Sequence, residues 1–124
     1  VVAGLLTEPH AATAGLRETE AKALGKPIKI GKFPFSVSGR AQAVGETEGF
    51  VKTIIDAETK AVLGVAIVGP EASDLISEAA VAIEMCAYAE DVALTIHPHP
   101  TLGESVMESF KHALGEAVHI MNKN

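Results

Sequence analysis

A chain of 124 residues, 48% hydrophobic and 21% charged, is long enough for one domain with its own core and too short for two. The formal net charge of −6 argues against nucleic acid as the main partner, because phosphate binding needs clustered Lys and Arg. An acidic surface suits a basic protein partner or simply keeps the domain in solution. With only five aromatic residues (four Phe and one Tyr), we expect a core of Val, Ile, Leu and Ala.

The single cysteine, Cys86, excludes an internal disulfide and any C-x-x-C pair. No window reaches the ~18 to 20 uninterrupted apolar residues that a membrane span needs, and no basic segment precedes an apolar run as in a signal peptide. The sequence therefore predicts a soluble protein of a reducing compartment. Because the chain opens on the strand-like VVAGLLTEP without an initiator Met, we expect it to be a fragment of a longer chain.

The first half of the chain predicts strands separated by one short helix. Residues 1–6 have the pattern of a strand, and residues 11–16 that of a second extended segment. Residues 18–24 are rich in helix formers, and the glycine and proline that follow predict the end of a short helix. The alternation in residues 28–35, IKIGKFPF, predicts a strand, and residues 36–45 predict a loop with one helical turn.

The second half begins with a predicted hairpin. Residues 50–55 and 61–68 have the clearest strand patterns, and DAETK between them has the length and turn residues of a hairpin connection. The second of these strands is apolar almost throughout, so we expect it to be covered on both faces.

Two helices are predicted after the hairpin. Apolar residues recur at helical spacing over residues 75–87, with Ser73 or Asp74 available as the N-cap. They do so again over residues 102–121, whose apolar face is wide enough that we expect part of it to pack against another chain. The order of elements predicts the α+β class, with a mainly antiparallel sheet and helices packed on one face.

The segment IHPHPTLGE, residues 96–104, places two histidines among prolines just before the last helix. Proline restricts the residue before it, so His97 and His99 are held away from helical geometry. Glu104, in the first turn of the helix, can fold back towards His99. A carboxylate bonded to one ring nitrogen orients the ring and leaves the other nitrogen as a general acid or base. The alternative is a structural hydrogen bond or a contact with the helix dipole.

Other reactive side chains are weaker candidates. A metal site would combine His97 and His99 with His112 or His119, but these pairs lack the spacing and the cysteines of common zinc sites, so we expect no metal. His112 and His119 are expected on a surface or an interface. Cys86 lies on the apolar stripe of its helix and is expected to be a buried small hydrophobe. The glycines do not form G-x-G-x-x-G, so we predict no nucleotide site.

The segment HPHPTLGE resembles the H-x-H-P-T-L-S-E signature at the end of dihydrolipoamide dehydrogenases, flavoproteins of the pyridine nucleotide-disulfide oxidoreductase family. Earlier blocks are similar to the same family, in order. TEPHAATAGLRETEAKALG resembles T-D-P-E-x-A-x-V-G-L-T-E-x-E-A, and KFPFSVSGRAQAVGETEGFVK resembles F-x-x-x-G-R-A…E-x-x-G-F-x-K. VLGVAIVGPEASDLISEAAVAIE resembles I-L-G-x-x-x-x-G-x-x-A-x-E-L-I. The likeness covers almost the whole chain but only the family's C-terminal interface domain, without its FAD and NAD domains or its C-x-x-x-x-C pair.

The resemblance implies that the domain forms a homodimer and lends His99 to the flavin site of the partner subunit, with Glu104 as the orienting carboxylate. His99 would take the proton from dihydrolipoamide as its thiolate attacks the enzyme disulfide, and electrons would pass through FAD to NAD. The resemblance also implies a cis bond between His99 and Pro100 and an approach of this pair to the flavin. We expect no bound cofactor and no redox turnover in this chain alone.

The implied partners are a second copy, the missing FAD and NAD domains, and the basic peripheral-subunit-binding domain of the acyltransferase core. The implied location is the bacterial cytoplasm or the mitochondrial matrix. Pro98 replaces the family's usual Ala, Gly103 its Ser at the expected N-cap, Arg17 its Thr and His10 its Glu; none of these changes removes the pair of site residues. The open alternatives are a stand-alone acidic interaction module with a structural His/Glu pair, the interface domain of a related flavin disulfide reductase, and a small metal-binding domain.

Overall fold

The computed structural model describes residues 2–5, 11–45 and 48–115. In chain order the elements are β1 Val2–Leu5, β2 Ala11–Gly15, α1 Glu18–Lys22, β3 Ile28–Pro34, a 3₁₀ turn Phe35–Val37, α2 Gly39–Val44, β4 Phe50–Asp56, β5 Val62–Val68, α3 Ala72–Glu84, α4 Ala89–Leu94 and α5 Gly103–Leu114. The strands form one antiparallel sheet in the order β1-β2-β5-β4-β3, which confirms the predicted α+β class. The outer parts of the predicted first strand and last helix, residues 1, 6 and 116–121, lie outside the described residues.

One face of the sheet is buried under the longer helices. A row of residues runs across four strands on this face, and all of its members are buried: Ala14, Val65, Thr53 and Gly31. Helix α3 packs against β2 and β5, α5 packs against β3 and β4, and α4 packs against α5. This arrangement confirms the predicted layer of helices on one face.

The other face of the sheet is only half covered. Strand β5 alternates there between buried residues and half-exposed ones such as Ala66 and Val68, so the prediction of a strand covered on both faces was wrong for the described chain. On this face Ala66 and Val68 lie beside partly exposed residues of β2 and β4, and no second layer of long helices in the described ranges covers them. The short helix α1 lies on this side, because Glu18 at its start contacts Lys52, whose side chain points away from α3 and α5.

Two lysines hold Glu18 in its ionised form. Its carboxylate lies 2.8 Å from Lys22 Nζ and 2.7 Å from Lys52 Nζ. Hydrogen bonds from Lys22 and then Lys52 lower the pKa of Glu18 from its ordinary 4.5 to about 2. The helix ends at Lys22, two residues before the predicted end at residue 24, which is within the usual variation of helix ends.

The core cluster is built mainly from Val, Ile and Ala, as predicted, and Phe35 and Phe110 are its two aromatic members among the described residues. Phe33, Phe35 and Phe110 are 2% exposed or less. The leucines that border the core are only partly buried: Leu75, Leu102 and Leu114. A phenyl ring removes more apolar area from water than an aliphatic side chain, so few rings suffice in a small core.

The predicted hairpin between β4 and β5 is confirmed. Asp56 Oδ1 accepts hydrogen bonds from the backbone N–H of Glu58 at 2.8 Å and of Thr59 at 3.0 Å, which closes the turn. These bonds, that from Thr59 first, hold the pKa of Asp56 below its ordinary value because they favour the charged carboxylate.

The predicted loop over residues 36–45 contains a complete short helix, α2. Ser38 caps it, since its Oγ accepts a hydrogen bond from the backbone N–H of Ala41 at 3.2 Å. Gly45 ends it in the left-handed conformation, at φ 75°. Both residues are standard helix boundary signals, but six residues between them are too few for a visible apolar period.

The prediction of one helix over residues 75–87 was wrong in its ends and its cap. Helix α3 runs from Ala72 to Glu84, and its N-cap is Glu71 at φ 57°, so Ser73 and Asp74 lie inside the first turn and cap nothing. A second helix, α4, follows, begun by Tyr88, whose backbone N–H donates to Asp91 Oδ2 at 2.8 Å.

Cys86 is exposed, so the expectation of a buried cysteine was also wrong. It lies beyond the end of α3 at φ 56°, where the backbone leaves the helix and the apolar stripe no longer applies. The expectation that part of the last helix packs against another chain stays a prediction. Val106, Phe110 and Ala113 are 0 to 5% exposed because α5 turns them onto its own sheet, whereas Met107 and Leu114 are partly exposed. No described helix is long and apolar enough to cross a membrane.

Candidate functional site

The His99 ring and the Glu104 carboxylate meet at the start of α5. His99 Nδ1 lies 2.9 Å from Glu104 Oε1 and 3.0 Å from Oε2. Glu104 Oε1 also accepts a hydrogen bond from the backbone N–H of Thr101 at 3.0 Å, and Thr101 Oγ1 donates to the Pro98 carbonyl at 2.7 Å. The carboxylate is therefore fixed by the backbone of the same loop that carries the imidazole.

The hydrogen bond decides which ring nitrogen of His99 carries the proton. A carboxylate only accepts, so Nδ1 donates, and in the neutral ring Nε2 is then an unprotonated acceptor. The His99 side chain is 72% exposed, whereas the Glu104 side chain is 19% exposed. Nε2 can therefore accept a proton from solvent or from a neighbouring molecule, while Nδ1 of the same ring is hydrogen-bonded to the negatively charged carboxylate.

Two sequence expectations about this loop have clear outcomes. The bond between His99 and Pro100 is cis, as predicted. Gly103 is not the N-cap: Leu102 occupies that position, in helical conformation, and Gly103 is the first residue of α5. The helix therefore starts one residue earlier than a cap at Gly103 would give, and Leu102, just before it, packs against the core.

Two contacts between α5 and β3 set the distance between this helix, which carries Glu104, and the sheet. The backbone N–H of Lys32 donates to His112 Nδ1 at 2.9 Å. A Cβ on Gly31 would overlap the backbone of Ser109 and Ala113. Strand β3 and helix α5 are thus too close at this point for any residue with a side chain. His112 is 6% exposed, and the expectation of a surface or interface histidine was wrong because its ring is needed as an acceptor inside the fold. His119 lies outside the described residues.

A small cavity of about 210 Å³ lies beside the pair, between the start of α5 and the segment that joins β3 to α2. His99 and Glu104 line its mouth, and Phe33, Ser105 and Glu108 line its floor. The volume is below the ~300 to 1,000 Å³ of typical cofactor pockets, so the cavity does not fit a dinucleotide.

The second histidine of the loop, a candidate metal ligand in the sequence, does not join the pair formed by His99 and Glu104. His97 is turned to the other side of the loop, where its Nε2 lies 2.6 Å from Glu78 Oε2 of α3. Among residues 11–45 and 48–115 no group of three or more His, Cys, Asp and Glu is arranged to hold a metal ion. The contact with Glu78 escaped sequence reasoning, because a separation of 19 residues between a helix and a loop carries no periodic signal.

Three comparisons place the chain among known proteins. The sequence model of the pyridine nucleotide-disulphide oxidoreductase dimerisation domain matches residues 1–110. The chain is 51% identical over 123 residues to a dihydrolipoyl dehydrogenase of Halobacterium salinarum, covering 99% of this chain and 26% of that protein. It is also 51% identical over 117 residues to a dihydrolipoyl dehydrogenase of Thermus scotoductus, covering 94% and 25%.

The fold has close counterparts among solved structures. The crystal structure of LpdA from Mycobacterium tuberculosis superposes with a TM-score of 0.84 at 29% identity, covering 90% of this chain and 24% of that one. The chain thus spans about a quarter of the length of the relatives that it matches.

Proposed function

Since the chain belongs to the pyridine nucleotide-disulphide oxidoreductase family as its dimerisation domain, we propose that it is the homodimerisation domain of a dihydrolipoamide dehydrogenase. In this role it supplies His99, oriented by Glu104, to the flavin and disulfide site of the partner subunit. The observation that carries the proposal is the exposed His99 ring with Nδ1 bonded to a carboxylate and Nε2 left as an acceptor.

The chemistry of the substrate requires a base of this kind. A thiol of dihydrolipoamide attacks a disulfide only as a thiolate, so its S–H proton must be removed as the new S–S bond forms. His99 Nε2 takes that proton, and the Glu104 carboxylate 2.9 Å from Nδ1 stabilises the imidazolium that results. The thiolate that leaves the broken disulfide carries the electron pair onwards.

A flavin would contact this chain only through the exposed loop that carries His99. The cavity beside His99 holds about 210 Å³, too little for FAD, whereas the exposed loop can reach into a site built by other domains. We therefore assign the flavin contact to His99 and Pro100 and the binding of FAD and NAD to domains outside this chain. When bound there, FAD accepts the electron pair and NAD is the final acceptor.

The second subunit of the proposed homodimer would cover large apolar side chains that this chain leaves exposed before the loop and on α3. Leu94 is 78% exposed and Ile96 is 94% exposed, and both lie within three residues before His97. Val81 and Met85 on α3 are 57% and 76% exposed. Large apolar side chains exposed this far are typical of a protein interface, and Leu94 and Ile96 are close in sequence to the residue that the partner is proposed to receive.

The test is the full-length, FAD-loaded enzyme with His99→Gln. We expect the rate of dihydrolipoamide oxidation to fall by ~10² or more, since a positioned base is lost. Flavin content and dimer mass should stay at the wild-type level. Near-normal turnover would exclude His99 as the base. Comparable rates with glutathione or another disulfide pair in the wild-type enzyme would instead favour a related flavin disulfide reductase.

The formal charge of −6 supports one further partner, the basic peripheral-subunit-binding domain of the acyltransferase core. Binding of that domain should weaken steeply as the salt concentration rises, and calorimetry at two salt concentrations would reveal it. A parent with this function would work in the bacterial cytoplasm or the mitochondrial matrix.

A further inference from the structure

The two histidines of the loop face opposite environments. The His97 side chain is 7% exposed, whereas that of His99, two residues later, is 72% exposed. His97 Nε2 lies 2.6 Å from Glu78 Oε2, and its Nδ1 lies 2.8 Å from the backbone carbonyl of Thr95. Both ring nitrogens of the buried histidine are therefore used, and one of them ties the loop to α3.

Both groups that face His97 are hydrogen-bond acceptors. The Thr95 carbonyl can only accept, so Nδ1 donates to it. Nε2 then needs a proton of its own, or one on Glu78, to make the 2.6 Å contact, because a bare nitrogen and a carboxylate would repel. Either way, one proton between Nε2 and the carboxyl group makes this contact a hydrogen bond that joins the loop to α3.

The loop that carries His99 is fastened on both sides. Before it, His97 is bonded to Glu78 on α3; after it, the backbone N–H of Thr101 is bonded to Glu104 on α5. Pro98 and Pro100 restrict the backbone between these two anchors. The direction of the exposed His99 ring consequently depends on where the His97 anchor holds the chain.

We propose that His97 and Glu78 are positioning residues, a clamp that sets the direction in which His99 projects from the domain. This proposal rests on the role of His99 as the base. Since a displacement of about 1 Å of a reacting group can cost ~10² in rate, the clamp acts on turnover without touching substrate.

The experiment compares Glu78→Leu, Glu78→Gln and His97→Leu in the full-length, FAD-loaded enzyme, with rates expressed per bound flavin. Leucine at either position breaks the clamp, and we expect kcat for dihydrolipoamide to fall about tenfold or more with KM changed less than about twofold. Glutamine at position 78 donates its amide N–H to the Nε2 of a neutral His97, so this variant should keep kcat within about threefold of wild type. Glu84→Leu is the control, since Glu84 is an exposed carboxylate on the same helix.

A clamp that acts only through His99 has a further signature. Glu78→Leu combined with His99→Gln should be no slower than His99→Gln alone, because the residue being positioned is already gone. Unchanged kcat in Glu78→Leu and His97→Leu, equal losses in Glu78→Gln and Glu78→Leu, or additive losses in the double variant would each overturn the clamp. A normal rate in His99→Gln alone would overturn the proposed base instead, so the two failures are distinguishable.

Discussion

Thr53 on β4 and Ser109 on α5 form a buried hydroxyl pair, with 2.7 Å between their Oγ atoms. Ser109 Oγ donates to the Val106 carbonyl at 2.8 Å, so its single proton is used and Thr53 must be the donor within the pair. This chain of two hydrogen bonds links the centre of the sheet to the helix that carries Glu104 at its start.

Thr53→Val should lower the free energy of unfolding by about 1 kcal/mol, because it removes the donor and keeps the shape of the side chain. Urea denaturation of the wild type and the variant would measure the difference. Thr13→Val is the matched control, since Thr13 lies half-exposed on the open face of the sheet and should change stability by less than about 0.5 kcal/mol. Equal effects of the two variants would contradict the assigned role of the buried pair.

Gly31→Ala should destabilise the fold by about 2 to 3 kcal/mol, since its Cβ would overlap the backbone of α5 and force strand and helix apart. Gly39→Ala offers a control of the same chemistry. No atom lies within 4 Å of a Cβ built there, and the residue is in α2, so the variant should be neutral or stabilised by ~0.5 kcal/mol. Thermal melts of both variants decide the point, and a harmless Gly31→Ala would mean that the contact between β3 and α5 is looser than described.

Glu18→Gln should make stability less dependent on pH in mild acid. The folded pKa of Glu18 is about 2, below its ordinary 4.5, so its ionised form stabilises the fold above pH 4.5 and this contribution is lost as the pH falls from 4.5 towards 2. Glutamine cannot titrate and should flatten that part of the curve. Urea midpoints measured every half pH unit from 7 to 3 would test this, and parallel curves for the two proteins would contradict it.

Glu104→Gln should slow dihydrolipoamide oxidation by about tenfold in the full-length enzyme, less than His99→Gln, because the ring keeps a hydrogen-bond partner but the imidazolium loses its counter-charge. Steady-state kinetics per bound flavin would give the comparison. A loss as large as that of His99→Gln would mean that the carboxylate does more than orient and stabilise the ring.

Ile96→Asp should raise the dissociation constant of the proposed homodimer by about tenfold or more, since it would bury a charge where an apolar side chain meets the second subunit. Sedimentation equilibrium of the full-length protein at micromolar concentrations would measure it. Leu24→Asp, a similar change at a half-exposed leucine after α1, should leave the dimer intact. An unchanged dimer in Ile96→Asp would place the interface elsewhere on the domain.

Much of this architecture follows from local sequence signals. The alternation in β3 and β4, the turn residues of DAETK and the prolines around His99 all act within a few residues, so their structures could be predicted. The His99 and Glu104 contact was also predictable, because five residues across the start of a helix bring the two side chains into reach.

The features that escaped prediction depend on distant contacts or on short elements. Helices α2 and α4 have six residues each, too few for an apolar period. The burial of His112 depends on a strand 80 residues earlier, and the exposure of Cys86 depends on where α3 ends. No local pattern contains that information.

The hydrogen bond from Lys32 to His112 has a consequence for self-association of strands. β3 is an outer strand, and the unpaired N–H groups of such strands invite a strand of another molecule to add on. On β3 the N–H of Lys32 is already occupied by His112, and Pro34, the next residue of the same orientation, has no N–H to offer. From Lys32 to Pro34 this edge therefore has no outward N–H left for an added strand, which weakens that stretch of β3 as a site for edge-to-edge pairing.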